Sequence, residues 1–126
     1  MDPAAIYKLL PAEEWESAQT AGVFAGSEVD ARDGFIHFST AAQVEETARR
    51  HFAGRTGLTL LVVDPAALGP ALRWEVSRGG AEFPHLYAGL PVAAVTRAVE
   101  LSDALLGRDD GPARAVAAAL DTLRQG

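Results

Sequence analysis

The chain has no cysteine, which excludes thiolate nucleophiles, disulfide frameworks and thiolate-bound zinc. Basic residues are outnumbered, 11 Lys and Arg against 17 Asp and Glu, and the resulting net charge of -6 argues against gripping phosphate backbones through bulk electrostatics. Nucleic acid is not an expected partner. No apolar run approaches the roughly 20 residues of a membrane span. The opening Met1-Asp2-Pro3-Ala4-Ala5 has no basic stretch followed by an apolar one. The expectation is a cytoplasmic protein with no membrane partner. Several catalytic signatures are missing too: there is no G-x-x-x-x-G-K phosphate loop, no G-x-G-x-x-G after a strand, no G-x-S-x-G elbow and no H-E-x-x-H, which removes the usual nucleotide hydrolases and zincins.

What is present suffices for one domain over residues 1–126. Hydrophobic residues make up 48% of 126, enough to bury a core without a covalent or metal prop. Ile6 to Leu10 reads as a strand stopped by Pro11, which opens a helix with Glu13, Glu14 and Glu16 in its first turn and Trp15 and Ala18 facing inward. Gly22 ends that helix, and Gly26 to Asp33 reads as a polar loop leading into a strand from Gly34 to Phe38. Thr40 and Gln43 have capping-box spacing, followed by a helix from Ala41 to Phe52. Leu58 to Asp64 is a nearly continuous apolar run, as a central strand buried on both faces requires. Leu72 to Ser77 alternates, with Leu72, Trp74 and Val76 opposite Arg73, Glu75 and Ser77. Val92 to Leu101 supplies a last strand, and Gly111-Pro112 starts a helix striped by Val116, Leu120 and Leu123. Strands and helices in irregular succession predict an α+β class.

Two segments carry the chemistry. In Asp33-Gly34-Phe35-Ile36-His37-Phe38-Ser39-Thr40, strand alternation places Phe35, His37 and Ser39 on one face. In Phe83-Pro84-His85-Leu86-Tyr87, it does the same for Phe83, His85 and Tyr87. Imidazole can exchange a proton near neutral pH or orient a ligand through hydrogen bonds, and the alternative for either histidine is a side chain satisfied by a backbone carbonyl. His51, beside Phe52 and Ala48 on a helix, reads as structural. Ser39 shares the face of His37, but the sequence fixes no acid as the orienting third member of a triad, so Ser39 and Thr40 read first as helix-starting residues. Glu75 is a general base or a stabiliser of positive charge, or else a surface carboxylate paired with Arg73 or Arg78. His37, His85 and Glu75 would suit a catalytic metal, but their spacing carries no metal signature, and no metal is expected.

The motifs Ile6-Tyr7-Lys8-Leu9, Glu14-Trp15, Asp33 to Thr40, Trp74-Glu75 and Phe83 to Tyr87, in this order and at compact spacing, resemble a bacterial family known as domain of unknown function 952. The resemblance spans nearly the whole chain. It implies a compact relative of the ADP-ribosyltransferase fold, whose members bind NAD in a cleft of a split, mostly antiparallel sheet flanked by helices. By that resemblance Lys8 stands at the first-strand position, where a His or Arg is usual. Gly34 to Thr40 is similar to the strand-to-helix segment beside the nicotinamide. The catalytic glutamate would lie near Glu82 to Tyr87, where His85 stands instead, which brings in Glu75 or Glu82. The implied site is catalytic Glu75, His37 and His85 with ligand-binding Lys8, Phe35, Ser39, Thr40, Phe83 and Tyr87, and NAD serves as substrate with no other cofactor. The leading expectation is a nucleotide-binding, transferase-like domain with a small-molecule partner. A noncatalytic interaction module and a metal-dependent hydrolase are the alternatives.

Overall fold

Six consecutive buried residues, Leu58–Val63 (β5), form the centre of the molecule. Both faces of β5 are covered, so its side chains divide by alternation between two cores. Leu58 and Leu60 join Leu9, Val44, Ala48, Leu101, Val116 and Leu120 on one side. Leu61 and Val63 join Ile6, Leu10, Phe24, Ile36, Phe38 and Leu86 on the other. Each fully buried leucine contributes about 1.5–3 kcal/mol relative to exposure, so the strand expected to be central is also the main source of cohesion. The computed structural model describes residues 5–125. The opening residues read above for a leader fall largely outside that range.

β5 is flanked by β1 (Ile6–Pro11) and β9 (Val95–Glu100), and β4 (Ser39–Thr40) completes a sheet of order β4-β1-β5-β9. A second sheet contains β3 (Ile36–His37), β7 (Glu82–Leu86) and β6 (Leu72–Val76) in the order β3-β7-β6, and β2 (Val23–Phe24) pairs with β8 (Leu90–Pro91). Every pairing among the described residues is antiparallel. Helices α3 (Val44–His51), α4 (Asp103–Leu106) and α5 (Gly111–Gln125) supply the side chains that cover the Leu58/Leu60 face. The class is α+β with antiparallel sheets and helices, as the irregular succession of elements predicts.

Four local expectations need correction. Gly26 to Asp33 is not a loop: Glu28–Asp33 forms a short helix, α2. Ser27 Oγ accepts from the Asp30 N–H, Asp30 Oδ2 accepts from the Ser27 N–H, and Gly34 closes the helix in the left-handed region at φ 86°. This is a capping box with Asp in place of the usual Glu or Gln. The helix after Thr40 starts at Val44 rather than Ala41, with Gln43 Oε1 accepting from the Thr40 N–H at 3.0 Å. Residues 92–94 form a 3-10 turn before β9 begins. Trp74 and Val76 are 45% and 68% exposed although Pro84, opposite Trp74, is fully buried; of the three alternating residues only Leu72 packs against the core. α1 (Ala12–Ala21) follows Pro11 and ends at Gly22, φ 83°, as the sequence predicts.

Candidate functional site

The chain leaves one sheet for the other at Phe38. Ile36 and His37 pair with β7, the Phe38 N–H donates to the Pro84 carbonyl at 3.0 Å, and Ser39 and Thr40 pair with β1. The expected single strand is therefore split, and Ser39 is parted from His37. Ser39 is buried with its hydroxyl 2.8 Å from Thr47 Oγ1 on α3. Neither it nor Thr40 joins the histidine cluster.

On the β3-β7-β6 sheet, register places His37 opposite His85, His85 opposite Arg73, and Phe83 opposite Glu75. Directly opposed residues share a face, so this face carries the polar groups and rings predicted from alternation. Phe35 is the hub. Its ring centroid lies 4.6 Å from His37, 4.1 Å from His85 and 5.3 Å from Tyr87. The two imidazoles are 5.7 Å apart, edge to face, and the Arg73 guanidinium lies 5.2 Å from the centre of the Tyr87 ring. Phe83, also on this face, is buried beneath the Arg78 guanidinium at 4.9 Å.

The two histidines have different supports. His37 Nδ1 is 2.6 Å from Asp30 Oδ1 and His37 Nε2 is 2.9 Å from Asp33 Oδ2. Ionised carboxylates only accept, so both bonds are made only when each ring nitrogen carries a hydrogen. In that state His37 is a cation and not a base. His85 Nδ1 is 2.9 Å from Glu75 Oε1, and the Tyr87 hydroxyl donates to the same oxygen at 2.7 Å. That contact places a hydrogen on Nδ1 and, in the neutral ring, leaves Nε2 as the acceptor. Donation from Tyr87, then from His85, holds the Glu75 carboxyl below its ordinary range, so Glu75 is an ionised acceptor. Its Oε2 accepts no hydrogen bond among the described residues, and its side chain is 37% exposed.

Asp30, not singled out by the sequence reading, anchors the arrangement. Burial alone would raise its pKa, but hydrogen bonding from His37, the charge of Lys8 and the backbone N–H groups of Ser27 and His37 hold it well below the carboxylate range. Lys8, expected to meet ligand, is buried instead. Its Nζ lies 3.2 Å from Asp30 Oδ2 and donates to the His37 carbonyl at 3.0 Å, with the Phe24 and Phe38 rings nearby. Lys8 therefore supports the His37 strand from beneath. The signal for Asp30 in the sequence is Ser27-x-x-Asp30, a helix start that also places Asp33 one turn later.

A groove of about 240 Å³ borders the ring cluster, lined by Asp30, Gly34, Phe35, Ile36, Leu86 and Tyr87 among others. A larger hollow of about 320 Å³, between Ala12, Gly57 and Ser102, contains none of the predicted site residues. Among the described residues no three His, Asp or Glu side chains converge in a way that suits a metal ion, and no helix is long and apolar enough to cross a membrane.

The chain is similar to the crystal structure of protein CC0527 from Caulobacter crescentus, with 49% identity and a TM-score of 0.80, over 86% of this chain and 92% of that one. The solution NMR structure of CC0527 matches at 51% identity and a TM-score of 0.70, over 78% and 84% of the two chains. No curated protein matches the chain. Residues 9–98 match a family described as protein of unknown function (DUF952), the family the five spaced motifs resemble. With that match covering more than half of its length, the chain belongs to the DUF952 family.

Proposed function

We propose that the chain binds NAD or a related nucleotide on the polar face of the β3-β7-β6 sheet, in the manner of an ADP-ribosyltransferase-like cleft. The observation that carries this reading is the gathering of Phe35, His37, Glu75, His85 and Tyr87 around one set of ring contacts. Real ligand sites draw together residues distant in sequence beside a concave surface. Phe35 and Tyr87 offer ring faces to nicotinamide or adenine. His85 and His37 suit ribose hydroxyls, His37 as a donor once Asp33 yields its hydrogen bond. In a transfer reaction the bond from ribose C1′ to the nicotinamide nitrogen breaks, its electron pair leaves with neutral nicotinamide, and an acceptor hydroxyl oxygen attacks C1′ and gives up its proton to water. Glu75, ionised and with Oε2 unpaired among the described residues, is suited to steady the positive charge on the ribose.

Calorimetric titration with NAD and with ADP-ribose tests the proposal. Saturable heat, lost in Phe35→Ala, is expected; no heat at millimolar ligand with folding intact would overturn it. A second reading, binding without turnover, is favoured by Glu75 Oε1 being already occupied by His85 and Tyr87. Binding of NAD with no release of nicotinamide on prolonged incubation would select that reading over the transferase.

A further inference from the structure

Arg78 is the one arginine among the described residues that is not exposed. Arg49 and Arg50 are matched by Glu46, Arg124 by Asp121 and Arg32 by Asp33, whereas Arg78, like the exposed Arg55, Arg73, Arg97, Arg108 and Arg114, forms no ion pair with a described residue. It begins the 3-10 turn Arg78–Gly80 between β6 and β7, stacks on Phe83 with Cζ 4.9 Å from the ring centre, and donates from Nη2 to Thr47 Oγ1 at 3.3 Å. That single bond leaves most of its five N–H donors unused. The guanidinium is half-buried, with no nitrogen both buried and unpartnered, so its remaining donors are open to an anion.

The surroundings are positive as well. His51 stands one helical turn beyond Thr47, on the same face of α3. Its pKa is lowered by burial and then by the charges of Arg78, Arg50 and His37. The acid nearby, Glu46, is already bonded to Arg49 and Arg50. A chain with a net charge of -6 thus concentrates unmatched positive charge at the meeting of α3 with the β6–β7 turn.

We infer that Arg78 and His51 frame an anion site that takes a phosphoryl group, while Thr47, whose hydroxyl is already engaged by Ser39, the Gln43 carbonyl and Arg78, holds the guanidinium in place. The planar fork of Arg78 suits two phosphoryl oxygens at once, and the rigid Phe83 ring beneath it fixes the plane of the fork. Phe83 and His85 alternate along β7, so the site is displaced from the ring cluster by roughly 7 Å, two strand residues. A nucleotide stacked at Phe35 and Tyr87 would extend its phosphate toward Arg78. That alignment rests on the ligand reading above, whereas the anion site does not.

Inorganic phosphate is the probe. The His51 ring resonances are followed by NMR from about pH 5 to pH 8, in phosphate, acetate and chloride at matched ionic strength. Bound phosphate is expected to give saturable shifts and to raise the His51 midpoint. Arg78→Lys should weaken saturation about tenfold, by losing the charge-assisted fork, and Arg78→Gln should abolish it. Should Arg78→Gln fail to fold, Arg78→Lys alone decides. Shifts that chloride reproduces, or that persist unchanged in folded Arg78 variants, would overturn the site; shifts that acetate reproduces equally would overturn the phosphoryl assignment. A failed NAD titration with saturable phosphate binding removes the nucleotide reading alone, and the converse removes the anion site alone.

Discussion

Asp30 Oδ2 lies 3.2 Å from Lys8 Nζ, and both side chains are almost wholly buried. Burial penalises each charge, but Asp30 also accepts from two backbone N–H groups and the His37 ring, while Lys8 has the carboxylate and one carbonyl. Breaking a buried pair from one side typically costs roughly 3–5 kcal/mol. Asp30→Asn is expected to destabilise by about that amount, as read by urea unfolding. Lys8→Met should cost less, because Asp30 keeps its other donors. A loss below about 1 kcal/mol for Asp30→Asn, the range of an exposed pair, would refute this role.

The same pair sets the acid response. Asp30 has a folded pKa well below its ordinary 3.8, so the unfolded chain binds protons that the folded chain refuses. Its contribution to stability is therefore complete above about pH 4 and is lost as pH falls through the depressed folded value. Asp33 and Glu75 are also lowered, by hydrogen bonds led by Arg32 and Tyr87 respectively, and they add to the trend in the same direction. Thermal melts should show a Tm falling gently between pH 7 and about pH 5, where the unfolded chain protonates His51 before the folded chain does, and falling steeply below pH 4, with the steep fall flattened in Asp30→Asn.

Tyr87→Phe removes the largest influence that holds the Glu75 carboxyl down. The Glu75 carboxyl resonance is expected to titrate at higher pH in the variant, while the melting temperature changes little, since Tyr87 is an exposed residue. If ligand binding depends on an ionised Glu75, affinity at pH 5 should fall more than affinity at pH 7. An unshifted Glu75 titration would contradict the hydrogen bond at 2.7 Å.

Ser39→Ala tests the assignment of Ser39 to structure. Its buried hydroxyl bonds Thr47, and Thr47 keeps the Gln43 carbonyl and Arg78 as partners, so the loss is the net worth of one bond, about 0.5–1.5 kcal/mol. Stability should drop by that amount while the affinity for any ligand of the ring cluster holds. A variant of unchanged stability that has lost turnover would restore Ser39 as a nucleophile.

Much of the site was legible because strand alternation is a local property. Phe35 and His37, like Phe83 and His85, are two residues apart, and an extended chain places such pairs on one side as long as it does not pass to another sheet. The central strand was legible for a similar reason, since a continuous apolar run has nowhere to go but between two covered faces. Ser39 failed as a member of the set because alternation holds only within one sheet, and the Phe38 N–H bonding to Pro84 passes the chain to another. Lys8 failed because its length lets it serve a buried acid, and that acid came from a segment read as loop. Trp74, whose strand alternates as predicted, is exposed because β6 lies at the edge of its sheet, where alternation alone does not secure a covering element.

By itself, the sequence determined that Phe83 and His85 share a strand face, that the first helix ends at Gly22, that the class is α+β, and, through five ordered motifs, the family. These follow from spacing, capping and backbone freedom, all of which act within a few residues. Only the tertiary structure decided that His37 meets His85 in register, that both pack on Phe35, and that Asp30 and Glu75 hold them differently. Such meetings depend on strand order and on which groups must pair once water is excluded, and those are properties of the whole fold.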